Sequence, residues 1–79
     1  MSNTPLQWIS DWIKARRQDN SVVILSDTDL YKTGLLDSLG IIELVEALED
    51  EYQFQFTDEE MQAGLTQVAA FEKIILSRT

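Results

Sequence analysis

The 79-residue sequence contains no cysteine and no histidine. Without cysteine the chain can form no disulfide framework and offers no protein thiol, so any thioester chemistry must use a thiol brought from outside. Without histidine the commonest general base is missing, and a serine nucleophile would have to rely on a lysine. A serine in this chain is therefore a poor nucleophile, but it remains a good point of attachment.

Basic residues are scarce as well, because six lysines and arginines face fourteen aspartates and glutamates, for a formal net charge of -8. Nucleic-acid binding needs lysine and arginine on one face, so we expect basic protein partners instead. No apolar run reaches membrane-spanning length and residues 1–5 lack the pattern of a secretion signal, which predicts a cytoplasmic protein without a transmembrane segment. The length leaves room for a single domain, 1–79, and nothing demands more than a monomer.

The spacing of apolar residues predicts an all-α fold, a small four-helix bundle with three longer helices and one short third helix. The first helix follows the N-cap Thr4 and ends at about Arg17. A long loop, 18–37, comes next, and its apolar residues Val23, Ile24, Leu25 and Leu30 are expected to anchor it to the core. The second helix begins after Asp37 and ends at about Tyr52.

The remainder of the chain predicts a short crossover and two further helices. Phe54 and Phe56 alternate with glutamines, which indicates an extended crossover with both rings turned inward. Thr57 and Glu60 form a capping box that opens the short third helix, and Thr66 is predicted to cap the last one. The last helix should bury one apolar stripe, made of Val68, Phe71, Ile74 and Ile75.

The second helix has two different faces. Its core stripe is predicted to consist of Ile41, Leu44, Val45, Leu48 and Tyr52. The opposite face carries four carboxylates, Glu43, Glu46, Glu49 and Asp50. Leu39 and Ile42 lie among these acids, next to Ser38 at the start of the helix. A charged helix face is usually just solvated, but an apolar pair inside an acidic surround predicts a docking surface for basic partners.

The run Gly34-Leu35-Leu36-Asp37-Ser38-Leu39, followed by Glu43-Leu44-Val45 and Ala47-Leu48-Glu49, resembles the phosphopantetheine attachment region of acyl carrier proteins. The resemblance extends over nearly the whole chain. It implies that Ser38 carries a 4'-phosphopantetheine arm, which a phosphopantetheinyl transferase adds from coenzyme A. It also implies that Asp37 and Leu39 belong to the attachment signature, and that the chain is a freestanding, non-catalytic carrier with no catalytic residue and no metal.

The resemblance implies partners but leaves the cargo open. Carriers of primary fatty acid synthesis usually have an aspartate at the position of Gly40, so this chain fits a specialised fatty acid or polyketide-type pathway better. An aminoacyl carrier of D-alanyl or peptidyl type is the alternative, followed by an unmodified acidic adaptor of the same fold. The implied partners are the transferase, an acyl- or aminoacyl-loading ligase, and acyl-transfer enzymes with basic docking surfaces.

Two alternative functions, a serine-dependent enzyme and a calcium-binding loop, do not fit the residues. An enzyme using Ser38 would need Lys32 as its base, with nothing to hold that lysine in place. A calcium loop starting at Asp27 would put Lys32 where glycine is required and Ser38 where the bidentate glutamate belongs.

Two further expectations concern packing around the second helix. Gly40→Ala should stabilise this helix, because glycine is a poor helix former. If a carried chain enters the bundle, the candidate lining residues are Leu44, Val45, Leu48, Phe54, Met61 and Phe71, although plain core packing is the favoured role for them.

Overall fold

The computed structural model describes residues 4–78 of the chain. It contains four helices, α1 Pro5–Arg17, α2 Ser38–Tyr52, α3 Asp58–Gln62 and α4 Val68–Arg78. The predicted all-α architecture is confirmed, with the short third helix and the long loop between the first two. Residues 1–3 lie outside the described residues. They are part of the segment 1–5, for which the sequence predicts no secretion signal.

Local side-chain caps set the starts of α1 and α3. The Thr4 hydroxyl accepts a hydrogen bond from the backbone N–H of Gln7 at 3.1 Å, and proline follows at the first helical position. The predicted capping box of α3 is also present, because Thr57 and Glu60 each accept from the other's backbone N–H. These caps satisfy N–H groups that a helix leaves unpaired at its start.

The core is one cluster of buried apolar side chains supplied by the helices and by the long loop. Its fully buried large members are Phe71, Ile9, Ile13, Leu30, Leu44, Leu48, Ile75 and Val68. α1 and α4 pack directly on each other. The predicted inward stripe of α4 is confirmed, with Ile74 half-buried at its edge. This packing leaves α2 with one face against the core and the other in solvent.

The long loop anchors itself with fewer residues than expected. Ile24 and Leu30 are buried, but Val23 and Leu25 are 75% and 57% exposed, so the prediction that all four reach the core is wrong. Burial alternates along this segment, because Val22 and Ile24 are covered while Val23 and Leu25 are exposed.

The prediction that Thr66 caps the last helix is also wrong. Its hydroxyl instead donates to the Asp29 carboxylate at 3.0 Å, and its carbonyl accepts from the N–H of Leu30 at 2.7 Å. α4 starts after Gln67, whose carbonyl accepts from the N–H groups of Ala70 and Phe71. Thr66 therefore fastens the long loop to the segment between α3 and α4.

Candidate functional site

Ser38 is the first residue of α2 and its side chain is exposed. Asp37, in an extended conformation with φ -89 and ψ -174, caps this helix. Its carboxylate accepts from the N–H of Gly40 at 2.7 Å, so the sequence-predicted cap is confirmed. The unpaired N–H groups and the dipole of the helix favour an anion at this end. A phosphodiester on Ser38 would lie in that field.

Gly40 is buried where the loop presses closely on the start of α2. A Cβ on this residue would lie 3.1 Å from Cδ2 of Leu36 and 3.3 Å from Oδ1 of Asp37. Both contacts are tighter than an ordinary van der Waals contact, so either the Leu36 side chain or the cap must shift to accommodate alanine. The structure therefore removes the basis for expecting Gly40→Ala to stabilise the helix.

The C-terminal end of α1 holds the segment just before Ser38. The guanidinium of Arg17 donates to the carbonyl of Leu35 at 3.2 Å. Arg16 forms an ion pair with Glu43 and lies over the Trp12 ring, 5.6 Å from its centroid. Sequence reasoning missed these contacts, which bring α1 up to the loop and to one edge of the acidic face.

The acidic face of α2 is divided by these contacts. Of its four predicted carboxylates, Glu43 is paired with Arg16, and Glu49 accepts from the backbone N–H of Phe56 at 2.9 Å. Glu46 and Asp50 are exposed. Together with the exposed Leu39 and Ile42 they follow each other at intervals of three or four residues, which places them on one side of the helix. We call Leu39, Ile42, Glu46 and Asp50 the docking stripe.

A groove of about 320 Å³ opens directly beside Ser38. Its lining residues come from the long loop, α2, α3 and the segment after α3: Tyr31, Ser38, Ile41, Ile42, Met61, Gly64, Leu65 and Thr66. Of the six residues proposed from the sequence as a cargo lining, only Met61 borders this groove. Leu44, Leu48 and Phe71 have no exposed surface at all, since they pack into the closed core.

One wall of the groove is held firmly by Asp29. Its carboxylate accepts from the N–H groups of Lys32 at 2.9 Å and Tyr31 at 3.0 Å, and from the Thr66 hydroxyl. The Lys32 N–H is the largest cause that lowers the pKa of Asp29, and the Thr66 hydroxyl adds to it. These bonds fix the loop at Tyr31 against the segment at Thr66.

The opposite wall belongs to α3 and is attached differently. None of its residues is fully buried, and Met61 is half-buried. Arg78 reaches across from α4, donating to the carbonyl of Gln55 at 2.9 Å and to the carboxylate of Glu60 at 2.6 Å. The Thr57 N–H, and then the Arg78 charge, lower the pKa of Glu60. Polar contacts near the surface thus hold this wall in place.

The protein is small and helical, and it exposes a serine at a helix N-terminus beside acidic and apolar side chains. These features are typical of a carrier protein. The family model described as phosphopantetheine attachment site matches residues 11–75, and the chain belongs to that family. No curated protein matches the chain. The chain is therefore a phosphopantetheine-bearing carrier protein, modified by a phosphopantetheinyl transferase and itself non-catalytic.

The described part of the chain has neither a membrane-spanning helix nor a metal-binding cluster. Over residues 4–78, no helix has both the length and the apolar character to cross a bilayer. Within the same residues no cluster of acidic side chains is suited to holding a metal ion. In the rejected calcium loop, Asp29 is already engaged by backbone N–H groups and by Thr66.

Proposed function

We propose that Ser38 carries the phosphopantetheine arm and that the chain serves as an acyl carrier in a specialised fatty acid or polyketide-type pathway. It would act as a single monomeric domain in the cytoplasm. The observation that carries the assignment of Ser38 is its place as the exposed first residue of α2, between the Asp37 cap and the docking stripe. The family match supports the arm, and the geometry supports the particular serine.

The other described serines are less suited to modification. Ser10 is only 8% exposed. Three more donate their hydroxyl protons to neighbouring groups, Ser21 to Asp19, Ser26 to Glu72 and Ser77 to the carbonyl of Ile74. Within residues 4–78, the Ser38 hydroxyl makes no such bond and is exposed. Ser38 is thus the described serine that a transferase can reach without breaking an existing contact.

The chemistry at Ser38 needs no base from this chain. Its Oγ forms a phosphodiester with the phosphopantetheine portion of coenzyme A, whose nucleotide portion leaves, and the transferase supplies catalysis. The phosphate then carries its negative charge at the favourable end of α2. The thiol of the arm supplies the thioester that a chain without cysteine cannot make itself. Tethering presents the thioester to a docked enzyme at high effective concentration.

The docking stripe gives this carrier a surface for brief, repeated encounters. Glu46 and Asp50 attract a basic enzyme surface from a distance, and the attraction weakens as salt is added. Leu39 and Ile42, 61% and 48% exposed, then add apolar contact beside Ser38. A carrier must also be released, so a small apolar patch within a salt-sensitive surround suits this task.

A mass measurement tests the assignment. The protein is incubated with coenzyme A, magnesium and a phosphopantetheinyl transferase of broad specificity, and its intact mass is recorded. We expect one phosphopantetheine addition on the parent protein and none on Ser38→Ala. Ser77→Ala, which removes another exposed hydroxyl, should load like the parent. Loading of Ser38→Ala, or no loading of the parent by any competent transferase, would contradict the proposal.

A further inference from the structure

Arg16 places a positive charge at the border of the docking stripe. It lies in the last turn of α1, and its guanidinium forms an ion pair with Glu43 of α2. Glu43 follows Leu39 by four residues and precedes Glu46 by three, so it is the neighbour of both on the surface of α2. Among the four predicted carboxylates of α2, the one closest in sequence to Ser38 therefore already has a cationic partner.

A second contact holds the Arg16 side chain in this position. Its guanidinium lies over the Trp12 ring, 5.6 Å from the centroid, a distance at which the ring attracts a cation. Trp8, one turn earlier on α1, packs edge-on against Tyr52. The same side of α1 thus contacts α2 at Tyr52 and again at Glu43. An exposed ion pair loses much of its energy to the ordering of two long side chains, and stacking on Trp12 reduces that loss here.

Glu46 and Asp50 differ from Glu43 in having no cation beside them. Both side chains are exposed, and within residues 4–78 neither forms an ion pair. They are four residues apart in the helix, which corresponds to roughly 6 Å along its axis. A lysine or arginine of a partner enzyme can reach these two carboxylates directly, whereas at Glu43 it meets a charge of its own sign.

A partner that uses Glu43 must first displace Arg16. Displacement breaks the ion pair and moves the guanidinium off the Trp12 ring, and the two cations repel each other while both are close. A partner that places its basic groups at Glu46 and Asp50 avoids this cost. Arg16 therefore favours one arrangement of basic groups over another, and such a repulsive element is one of the two ways in which an interface becomes specific.

We infer that Arg16 is a specificity-determining residue of the docking surface: it occupies Glu43 and excludes the basic groups of partner enzymes from that carboxylate. Productive contacts are then confined to Glu46 and Asp50. This inference rests on the proposed function, in which partner enzymes dock beside Ser38. It concerns the arrangement of the charges rather than their sum, so the partners selected in this way present two basic side chains about one helical turn apart.

A peptide of four lysines can map the accessible carboxylates without any partner enzyme. The peptide is added at low salt, and the carbon NMR signals of the side-chain carboxyl groups are followed. In the parent we expect the signals of Glu46 and Asp50 to shift and that of Glu43 to stay in place. In Arg16→Gln the shifts should extend to Glu43. Arg16→Lys, which keeps the cation, should behave like the parent. So should Lys14→Gln, which removes the same charge from another side of α1.

A kinetic readout uses a phosphopantetheinyl transferase of broad specificity. Replacing Arg16 leaves the chemistry at Ser38 untouched, so Arg16→Gln should lower KM for the carrier about threefold at low salt, with kcat unchanged. Lys14→Gln should lower KM by less, because it changes only the net charge. In a Glu43→Gln background, Arg16→Gln should lower KM no more than Lys14→Gln does, since the carboxylate that it would release is absent.

Two results would overturn the inference. Peptide-induced shifts at Glu43 that are as large in the parent as in Arg16→Gln would show that Arg16 excludes nothing. Equal KM values for Arg16→Gln and Lys14→Gln would show that net charge alone governs docking. Failure of the parent to load at Ser38 would defeat the proposed function and this inference together, whereas successful loading with either of the two results defeats only the latter.

Discussion

The two ends of α2 are supported by the rest of the chain in opposite ways. At the C-terminal end, the Tyr52 ring lies edge-on to Trp8, with centroids 6.3 Å apart, and Glu49 binds the backbone of Phe56. At the N-terminal end, Ser38 and Leu39 are exposed and the cap comes from the adjacent Asp37. One end therefore stabilises the fold, while the other exposes the Ser38 hydroxyl and the apolar side chain of Leu39. Substitutions at the two ends should separate carrier activity from stability.

The largest effect is expected at the docking stripe. The double variant Glu46→Lys with Asp50→Lys reverses both charges. It should lower kcat/KM for phosphopantetheinyl transfer by about tenfold or more at low salt, because the electrostatic attraction of the transferase to the docking stripe is lost. Added salt screens these charges, so it should reduce the difference in kcat/KM between the double variant and the parent protein. The free energy of unfolding should change little, since both side chains are exposed.

The control for this substitution changes net charge equally but elsewhere. Asp11→Lys with Asp27→Lys reverses two exposed carboxylates outside α2. If the two double variants lose transfer rate equally, net charge alone governs encounter and the docking stripe has no special role.

The contacts that support the C-terminal end of α2 are tested with Glu49. Glu49→Ala leaves the partly buried N–H of Phe56 without its acceptor, which should lower the free energy of unfolding by about 1–3 kcal/mol. Urea denaturation measures this loss, and Glu49→Gln, which keeps a carbonyl acceptor, should lose less. Loading at Ser38 should be unchanged under native conditions. A Glu49→Ala protein of full stability with impaired loading would reverse the roles assigned to the two ends.

Contacts that are close in sequence were predictable. The caps at Thr4 and Asp37 and the capping box of Thr57 and Glu60 each involve residues three apart, and the apolar stripe of α2 is a property of one helix. Their geometry depends on the local backbone, so the residue pattern is sufficient to predict them.

Contacts between distant residues were not predictable from those patterns. Thr66 is 37 residues from Asp29, and Arg16 is 27 from Glu43. Thr66 satisfies the pattern of a cap equally well, and only the folded loop provides the competing carboxylate. The groove was missed for the same reason, because its lining comes from separate segments that no single periodicity connects. The proposal of Ser38 as the attachment point comes from its motif, whereas the engagement of Glu43 and Glu49 required the fold.

Gly40 provides a third test, with a smaller expected effect. Alanine gains up to about 1 kcal/mol in helix propensity, but crowding in a packed site costs about 1–3 kcal/mol, so Gly40→Ala should be mildly destabilising. The crowding partner is Leu36, whose side chain would lie 3.1 Å from the new Cβ. A Leu36→Ala background removes the Cδ2 contact but keeps Leu36 Cβ at 3.2 Å, so Gly40→Ala should cost less stability there than in the parent protein. If Gly40→Ala raises the melting temperature when Leu36 is present, the Leu36 side chain must move aside without loss of stability.

The smallest effect concerns the phenol of Tyr52, at the stabilising end of α2. Burial, with a lesser contribution from the Glu51 charge, raises the pKa of Tyr52 above its ordinary value of 10.0. The unfolded chain therefore releases this proton at lower pH than the folded protein, and stability contributed by the neutral phenol is lost as pH rises above about 10. Tyr31→Phe leaves Tyr52 as the single tyrosine, so phenolate absorbance can follow it alone.

In that background, Trp8→Ala should move the midpoint of the Tyr52 titration downward, because it removes a ring that packs edge-on against Tyr52 and so reduces its burial. Glu51→Gln should lower the midpoint by less, since charge is the smaller cause. Leu39→Ala, at the exposed end of the same helix, should leave the midpoint unchanged. A midpoint that follows Leu39 and ignores Trp8 would mean that the two ends of α2 are not independently supported.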